Sequence, residues 1–282
     1  MINIVTEPRV YLVAQMYDNP DELAVYLHSI GTDWQPENFE HPTEVLPEIA
    51  GRVCYNSFNN PRPGGNKAYL DHIKAVGHGS VTEAAVYSFI FADISRSTSH
   101  ELVRHRTKSY SQRSQRFIDE SGDIKFVLPH AILEEYQLFL QPVFAADEKS
   151  LRVYRERCKK FYLWRDSCEI SLSFYKQLLG ELERSIIPEG MGKTDAKKWA
   201  RQAAREVLPN CTATTVYVTA NARSWRNFLE LRASRHADVA IRKVANAAFD
   251  KLLAASPNLF DDYARVPLSD GTFELTTPYR KI

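Results

Sequence analysis

The sequence has no long apolar run: nothing approaches the roughly 18 uninterrupted residues that a membrane-crossing helix requires. Its start, MINIVTEPRV, has no basic region leading into an apolar stretch, so no secretory signal is read there. Cysteine is scarce. Cys54, Cys158, Cys168 and Cys211 form no Cys-x-x-Cys pair and no zinc-finger spacing with histidine, so reduced thiols, no metal and a cytoplasmic location are expected. A surplus of charge is missing too. The formal net charge is +1, against the strongly basic balance usual for a general nucleic-acid binder. Glycine-rich phosphate loops are also absent. Gly190-Met191-Gly192 lies in a loop between helices with no strand before it, so it is not a dinucleotide-binding fingerprint.

What is present is an ordinary soluble composition, 44% hydrophobic and 25% charged over 282 residues, enough to bury a sizeable core. There is no repeat. YLVAQM (11–16) reads as a strand, and Asn19-Pro20 opens a helix. Helices are expected over 42–58 and over 68–80, the second stopping at Gly77. AVYSFIFADIS (85–95), rich in aromatic and β-branched residues, is the strongest strand. SHELVRHRTKSYSQ reads as a helix running into a polar loop, and KFVLP (125–129) as a strand. From 131 to 186 the pattern is helical in two arms that suggest an antiparallel hairpin, with Pro142 breaking the first. A loop follows at IIPEGMGKT, then a helix over 195–209 and a strand over 214–220. Residues 221–256 read as one long helix, with Phe228, Leu231, Val239 and Val244 at helical spacing. Helices dominate, strands are spread among them, and the expected class is α+β.

One stretch concentrates positive charge: RHRTKSYSQRSQRF, 104–117, with Arg104, Arg106, Lys108, Arg113 and Arg116 and no Asp or Glu. Like charges repel unless an anion or distant carboxylates offset them. Three readings compete. The stretch could be a solvated face, but such faces usually mix signs. It could bind nucleic acid as a non-enzymatic module, but Tyr110 and Phe117 are few aromatics for base stacking. It could cradle a phosphorylated small molecule, for which guanidinium forks and serine hydroxyls are well matched.

The spacing Arg104-His105-Arg106, seven residues, then Ser114 resembles the signature of the flavin-dependent thymidylate synthases, the ThyX family. GHGSVTE (77–83), AREVLP (204–209) and NARSWRNFLELRASRHAD (221–238) resemble further segments of that family, in the same order along the chain. The resemblance implies an α+β fold with a mixed core and a helical hairpin arm. Residues 1–130 are then the N-terminal part of the catalytic core, 131–190 the arm, and 191–282 the C-terminal part of the core. It implies a methyltransferase that makes dTMP from dUMP. The carbon comes from 5,10-methylenetetrahydrofolate, and the hydride passes from NADPH through FAD. It also implies a homotetramer with shared active sites, and no nucleic-acid or membrane partner.

By the same resemblance, FAD is held by His78, Ser80 and Glu83 ahead of the strand, and by Arg104, His105 and Arg106. Gln112, Asn221, Ala222, Arg223, Asn227 and His236 complete that set. For dUMP the resemblance implies Glu101, Leu102, Val103 and Arg104, then Gln112, Arg113, Ser114, Gln115 and Arg116 from a neighbouring subunit, together with Arg205. Arg232 is implied for both binding and activation. A guanidinium at the pyrimidine edge stabilises the charge that develops as N3–H ionises. Family members more often carry Gln at 101 and Glu at 112; here the two are exchanged. Residue-level reading adds alternatives. Ser80 and Asn221 are also plausible helix or loop caps, His78 a helix end, His105 a core histidine and Arg232 a surface residue, although its neighbours Phe228 and Leu231 are apolar. Ser114 has no base beside it and reads as a ligand of phosphate or hydroxyl, not a nucleophile. Cys211, in LPNC, reads as a residue at the start of a strand.

Overall fold

The computed structural model describes residues 2–37, 40–142, 147–185 and 190–280. In chain order the elements are β1 (Asn3–Val5), β2 (Arg9–Gln15), α1 (Pro20–Ser29), α2 (Val45–Tyr55), α3 (Gly65–Val76), β3 (Val86–Ser95), α4 (Arg96–Leu102), β4 (Ser109–Gln112) and β5 (Lys125–Val127). There follow α5 (Leu133–Phe139), α6 (Glu148–Arg157), α7 (Lys159–Arg184), α8 (Lys193–Ala204), β6 (Ala213–Asn221), α9 (Ala222–Arg232), α10 (Val239–Ala255), α11 (Pro257–Phe260), β7 (Ala264–Pro267) and β8 (Phe273–Thr276). This is the α+β class. The strand order of the main sheet is β2-β3-β6-β4. Local signals set several boundaries. Asn19 caps α1 by accepting from the Glu22 N–H, with Pro20 in the first turn. Gly77, at φ +75°, supplies the left-handed residue that ends α3.

Two compact units divide the chain, each assembled from three stretches: 1–8, 92–100 and 112–216 in one, 9–91, 101–111 and 217–282 in the other. The second carries α9 and is built around aromatic rings. Tyr87, Phe89 and Phe91 alternate along β3, so all three project from one face, and all are fully buried. The Trp225 ring of α9 meets Phe89 edge-on at 4.8 Å and Phe228 at 5.8 Å. The Ala222 N–H donates to the Ala85 carbonyl at 2.8 Å, which fixes the start of α9. Arg226, fully buried, donates from Nη1 and Nη2 to the two carboxylate oxygens of Asp262, both at 2.7 Å, and from Nη1 to the Leu259 carbonyl.

The single helix expected over 221–256 is in fact two. Residues 233–238 break it, and the side chains supply the partners a break needs. Asp238 caps α10 through the Ala240 N–H at 2.7 Å. The buried Arg242 guanidinium donates to the carbonyls of Ser234, Arg235 and Ala237 and pairs with Asp270. The break puts Arg232 at the C-terminal end of α9. Leu231, expected on the apolar face, is 55% exposed. SYSQ, expected as polar loop, is strand β4.

In the other unit β1 and β5 pair in parallel. The expected two-armed helical region contains three helices, because the second arm breaks at Cys158 into α6 and α7. On α7, Tyr175 and Leu179 pack with Ala200 and Ala204 of α8, while Cys168 packs with Phe126 and Ile124. Part of the expected loop at IIPEGMGKT, residues 186–189, lies outside the described residues.

Arg226→Met is expected to destabilise the protein by about 3–5 kcal/mol, because it leaves the Asp262 carboxylate buried without its main partner. Urea unfolding measures this, and a loss below about 1 kcal/mol contradicts the anchoring role given to the pair.

Candidate active site

In the unit that carries α9, the side chains at the end of α4 meet those at the end of α9. After Leu102 the chain turns: the N–H groups of Arg104 and His105 donate to the carbonyls of Glu101 and Leu102 at 3.3 and 3.2 Å. That turn folds His105 inward while Arg104 and Arg106 stay exposed. The His105 ring stands edge-on to Phe228 at 5.1 Å. Arg232 Nε donates to His105 Nε2 at 3.0 Å, and Arg232 Nη1 pairs with Glu101 Oε2 at 2.8 Å. A guanidinium has donors only, so Nε2 must present its lone pair and the ring proton sits on Nδ1. Burial, Lys108 and Arg232 together hold the His105 imidazolium pKa down at about 4, so the ring is neutral near pH 7. The Tyr110 hydroxyl lies 2.8 and 2.7 Å from the carbonyls of Leu102 and His105 and donates to one or the other. Burial raises its pKa and keeps the phenol a donor.

Around this centre the same unit presents exposed polar groups. Glu83 and Arg223 form an exposed ion pair at 2.7 Å. His78 stacks on Tyr55, ring centroids 5.6 Å apart, with Tyr55 Oη 3.2 Å from His78 Nδ1. Ser80 lies exposed in the 3-10 turn Gly79–Ala84. Asn227 and His236 are exposed as well, whereas Leu102 and Ala222 are buried in the packing and Val103 is on the surface. Asn221 caps α9 through the Ser224 N–H at 2.9 Å, so one end of its amide serves the helix. Arg104 and Arg106 form no ion pair among the described residues.

The other unit holds a second guanidinium group. Arg96, at the start of α4, is lowered in pKa by burial and by the neighbouring charges of Arg205 and Arg113, with Glu120 acting the other way. Its Nε is buried without a hydrogen-bond partner among the described residues, and its Nη2 donates to the Arg113 carbonyl at 3.4 Å. Arg113 pairs with the buried Glu120 at 3.2 Å, and Arg205 pairs weakly with the exposed Glu206 at 3.4 Å. The arrangement leaves positive charge in excess and a buried donor without an acceptor, which suits an oxyanion. Gln112 donates to Ser99 Oγ at 3.0 Å, Ser114 Oγ accepts from the Arg116 N–H at 3.3 Å, and Gln115 is buried. Ser114 has no base among its described hydrogen-bond partners. Cys211 lies two residues before the first residue of β6, with its sulfur 3.5 Å from that of Cys168.

The structure thus brings together Glu101, His105 and Arg232 in one unit, and Arg113 and Arg205 in the other. Sequence reasoning passed over Arg96, Glu120 and Tyr55, and counted Lys108 only among the charges of the basic stretch. Arg96 and Glu120 fall just outside the basic stretch, and a lysine within a basic run reads as solvated. Among the described residues no group of three or more metal-ligating side chains occurs, and no helix is long and apolar enough to cross a membrane.

Fold and site define an α+β protein that gathers guanidinium groups and holds one of them, Arg232, on a neutral histidine. A family model described as "Thymidylate synthase complementing protein" matches residues 39–258. A protein of Corynebacterium aurimucosum named flavin-dependent thymidylate synthase is 41% identical over 251 residues, covering 88% of this chain and 91% of the relative. One of the same name from a Mycobacterium species is 43% identical over 239 residues, covering 83% and 85%. The chain belongs to the thymidylate synthase complementing protein family. A solved structure of PolB, a UMP/dUMP methylase from Streptomyces cacaoi bound with 5-Br dUMP, shares the fold at a TM-score of 0.62 and 20% identity, covering 92% of this chain and 96% of that one.

Arg96→Met is expected to weaken binding of a nucleoside monophosphate by roughly 10- to 100-fold, the scale of one hydrogen bond to a charged group. Isothermal titration measures it. Unchanged affinity contradicts the assignment of Arg96 to an oxyanion.

Proposed function

We propose that this chain is a flavin-dependent thymidylate synthase, a methyltransferase that converts dUMP to dTMP. The methylene carbon comes from 5,10-methylenetetrahydrofolate and the reducing equivalents from NADPH through FAD. The observation that carries the reading is Arg232 pinned by Glu101 and His105, with His105 and Arg232 in segments that resemble the family's motifs and Glu101 just ahead of the first of them.

The residues fit a flavin dinucleotide. No glycine-rich strand–turn–helix is available, so the pyrophosphate has to be held by side chains. Arg104 and Arg106 are exposed guanidinium groups with no acid paired to them among the described residues. His78, Ser80, Glu83, Arg223 and Asn227 are the further flavin-side groups, with Asn221 serving its helix as well. When bound, the flavin supplies the hydride-carrying chemistry. The protein's part is to place charge. Arg113, Ser114, Gln115, Arg116 and Arg205 hold the nucleotide, with Gln112 beside them, and Arg96 adds a donor at the phosphate. Glu101 to Arg104 cover the nucleotide.

Arg232 stabilises negative charge on the pyrimidine as N3–H ionises. Its orientation is fixed before the substrate arrives, and such preorganisation is what makes a donor effective. Glu101, where the family more often has Gln, holds Arg232 by charge as well as by hydrogen bond. Gln112 in turn has an amide that donates to Ser99, which a carboxylate cannot do. The enzyme works in the cytoplasm as a homotetramer, with active sites built where copies of the chain meet.

Purified protein is expected to be yellow, with an oxidised-flavin absorption band, and to oxidise NADPH faster when dUMP is present. Arg232→Ala is expected to lose turnover by roughly 10²-fold, the scale of removing one preorganised donor, while keeping its flavin. Loss of FAD with normal turnover on added flavin moves Arg232 to a cofactor role. A folded protein that binds neither FAD nor dUMP overturns the reading.

A further inference from the structure

We propose that His105 is a positioning residue for Arg232, and that the buried side chain of Lys108 preserves this role by keeping positive charge off the imidazole. The proposal rests on the function given to Arg232 above.

The contact with Arg232 sets the condition. Arg232 Nε–H donates to His105 Nε2 at 3.0 Å, and a proton on Nε2 would replace that bond with two donors and two cations face to face. Rotation of the ring offers little escape, because Phe228 stands edge-on to it at 5.1 Å. With Nε on His105, Nη1 on Glu101 Oε2 and Nη2 at 3.5 Å from the Glu101 carbonyl, three of the five N–H donors of a guanidinium are engaged. The remaining two are presented in a fixed plane.

Lys108 is the unusual group. It is buried, where a lysine is rarely found. Its Nζ donates to the Ser224 carbonyl at 2.8 Å and sits 3.8 Å from the centre of the Trp225 ring and 5.4 Å from that of Phe228. Burial draws its pKa well below the ordinary value. The carbonyl and the two ring faces favour the ammonium. No carboxylate pairs with it among the described residues, so its field is not cancelled locally. The charged and titratable groups packed about His105 are then Arg232 from α9, Lys108 on its own segment and Tyr110 from β4, with Arg104 and Arg106 flanking it in sequence. The carboxylate of Glu101 binds the guanidinium rather than the ring. The surroundings are cationic and dry, and they hold the imidazole in the neutral form that Arg232 needs.

The test uses the full chain. Nitrogen-detected NMR of the wild type near pH 7 should show His105 protonated on Nδ1 and bare on Nε2; the opposite tautomer overturns the proposal without any variant. The His105 signal is assigned by its loss in His105→Gln. Its titration midpoint is expected at about 4 in the wild type. In Lys108→Met it should rise toward the ordinary histidine range. Turnover in Lys108→Met should acquire an acid limb at that same midpoint, falling at least about tenfold below it. The double variant Lys108→Met/His105→Gln, whose amide oxygen accepts the bond without titrating, should lack the limb. An imidazole midpoint unmoved by Lys108→Met, or a limb that survives His105→Gln, contradicts the proposal. Should Lys108→Met not fold, Lys108→Gln serves in its place. A protein that binds neither FAD nor dUMP defeats the function reading, and the imidazole titration still decides the relation of His105 to Arg232.

Discussion

A guanidinium held between a carboxylate and a lone pair is the interaction on which the rest depends. Glu101 supplies the charge and His105 the lone pair, and Arg232 cannot turn without losing one of them. Each constraint has its own support. The α4 turn sets Glu101 and His105, the break after α9 ends the helix at Arg232, and the Trp225 ring fixes the helix against β3. The buried Arg226–Asp262 pair is part of this framework: it ties α9 to the segment after α11 with two charge-assisted hydrogen bonds out of reach of solvent screening.

Charge is unevenly distributed along the chain. The basic stretch contains no acid, and its neighbours supply only partial compensation. Glu120 is shared among guanidinium groups, and Arg104 and Arg106 have no paired carboxylate among the described residues. A protein of nearly zero net charge keeps this imbalance local to one stretch and its neighbours.

Much of the fold was legible where a residue type forces one backbone choice. Asn19-Pro20 opened α1, Gly77 closed α3, and the aromatic run of β3 formed the strand it predicted. The reading failed where pattern and packing diverge. The apolar spacing from Phe228 to Val244 continues across residues 233–238, so nothing in periodicity marks the break; Arg242, which stabilises it, pairs with Asp270, and that residue lies far along the chain. SYSQ is too polar to announce β4, which forms because its neighbour in the sheet provides the pairing. At the site, the Arg-His-Arg spacing identified the segment, and the long-range contacts of Glu101 and His105 with Arg232 had no signal in it. Lys108 was the least legible residue, since its burial comes from Trp225 and Phe228 more than a hundred positions away.

The most direct measurement is a crystal structure of the protein with FAD and dUMP bound. The account predicts that the Arg232 guanidinium, still on Glu101 and His105, meets the pyrimidine edge, and that the phosphates of both compounds lie among the arginines of 104–116, Arg96 and Arg205. A complex in which Arg232 leaves His105 and faces solvent, or in which the basic stretch contacts neither compound, contradicts it.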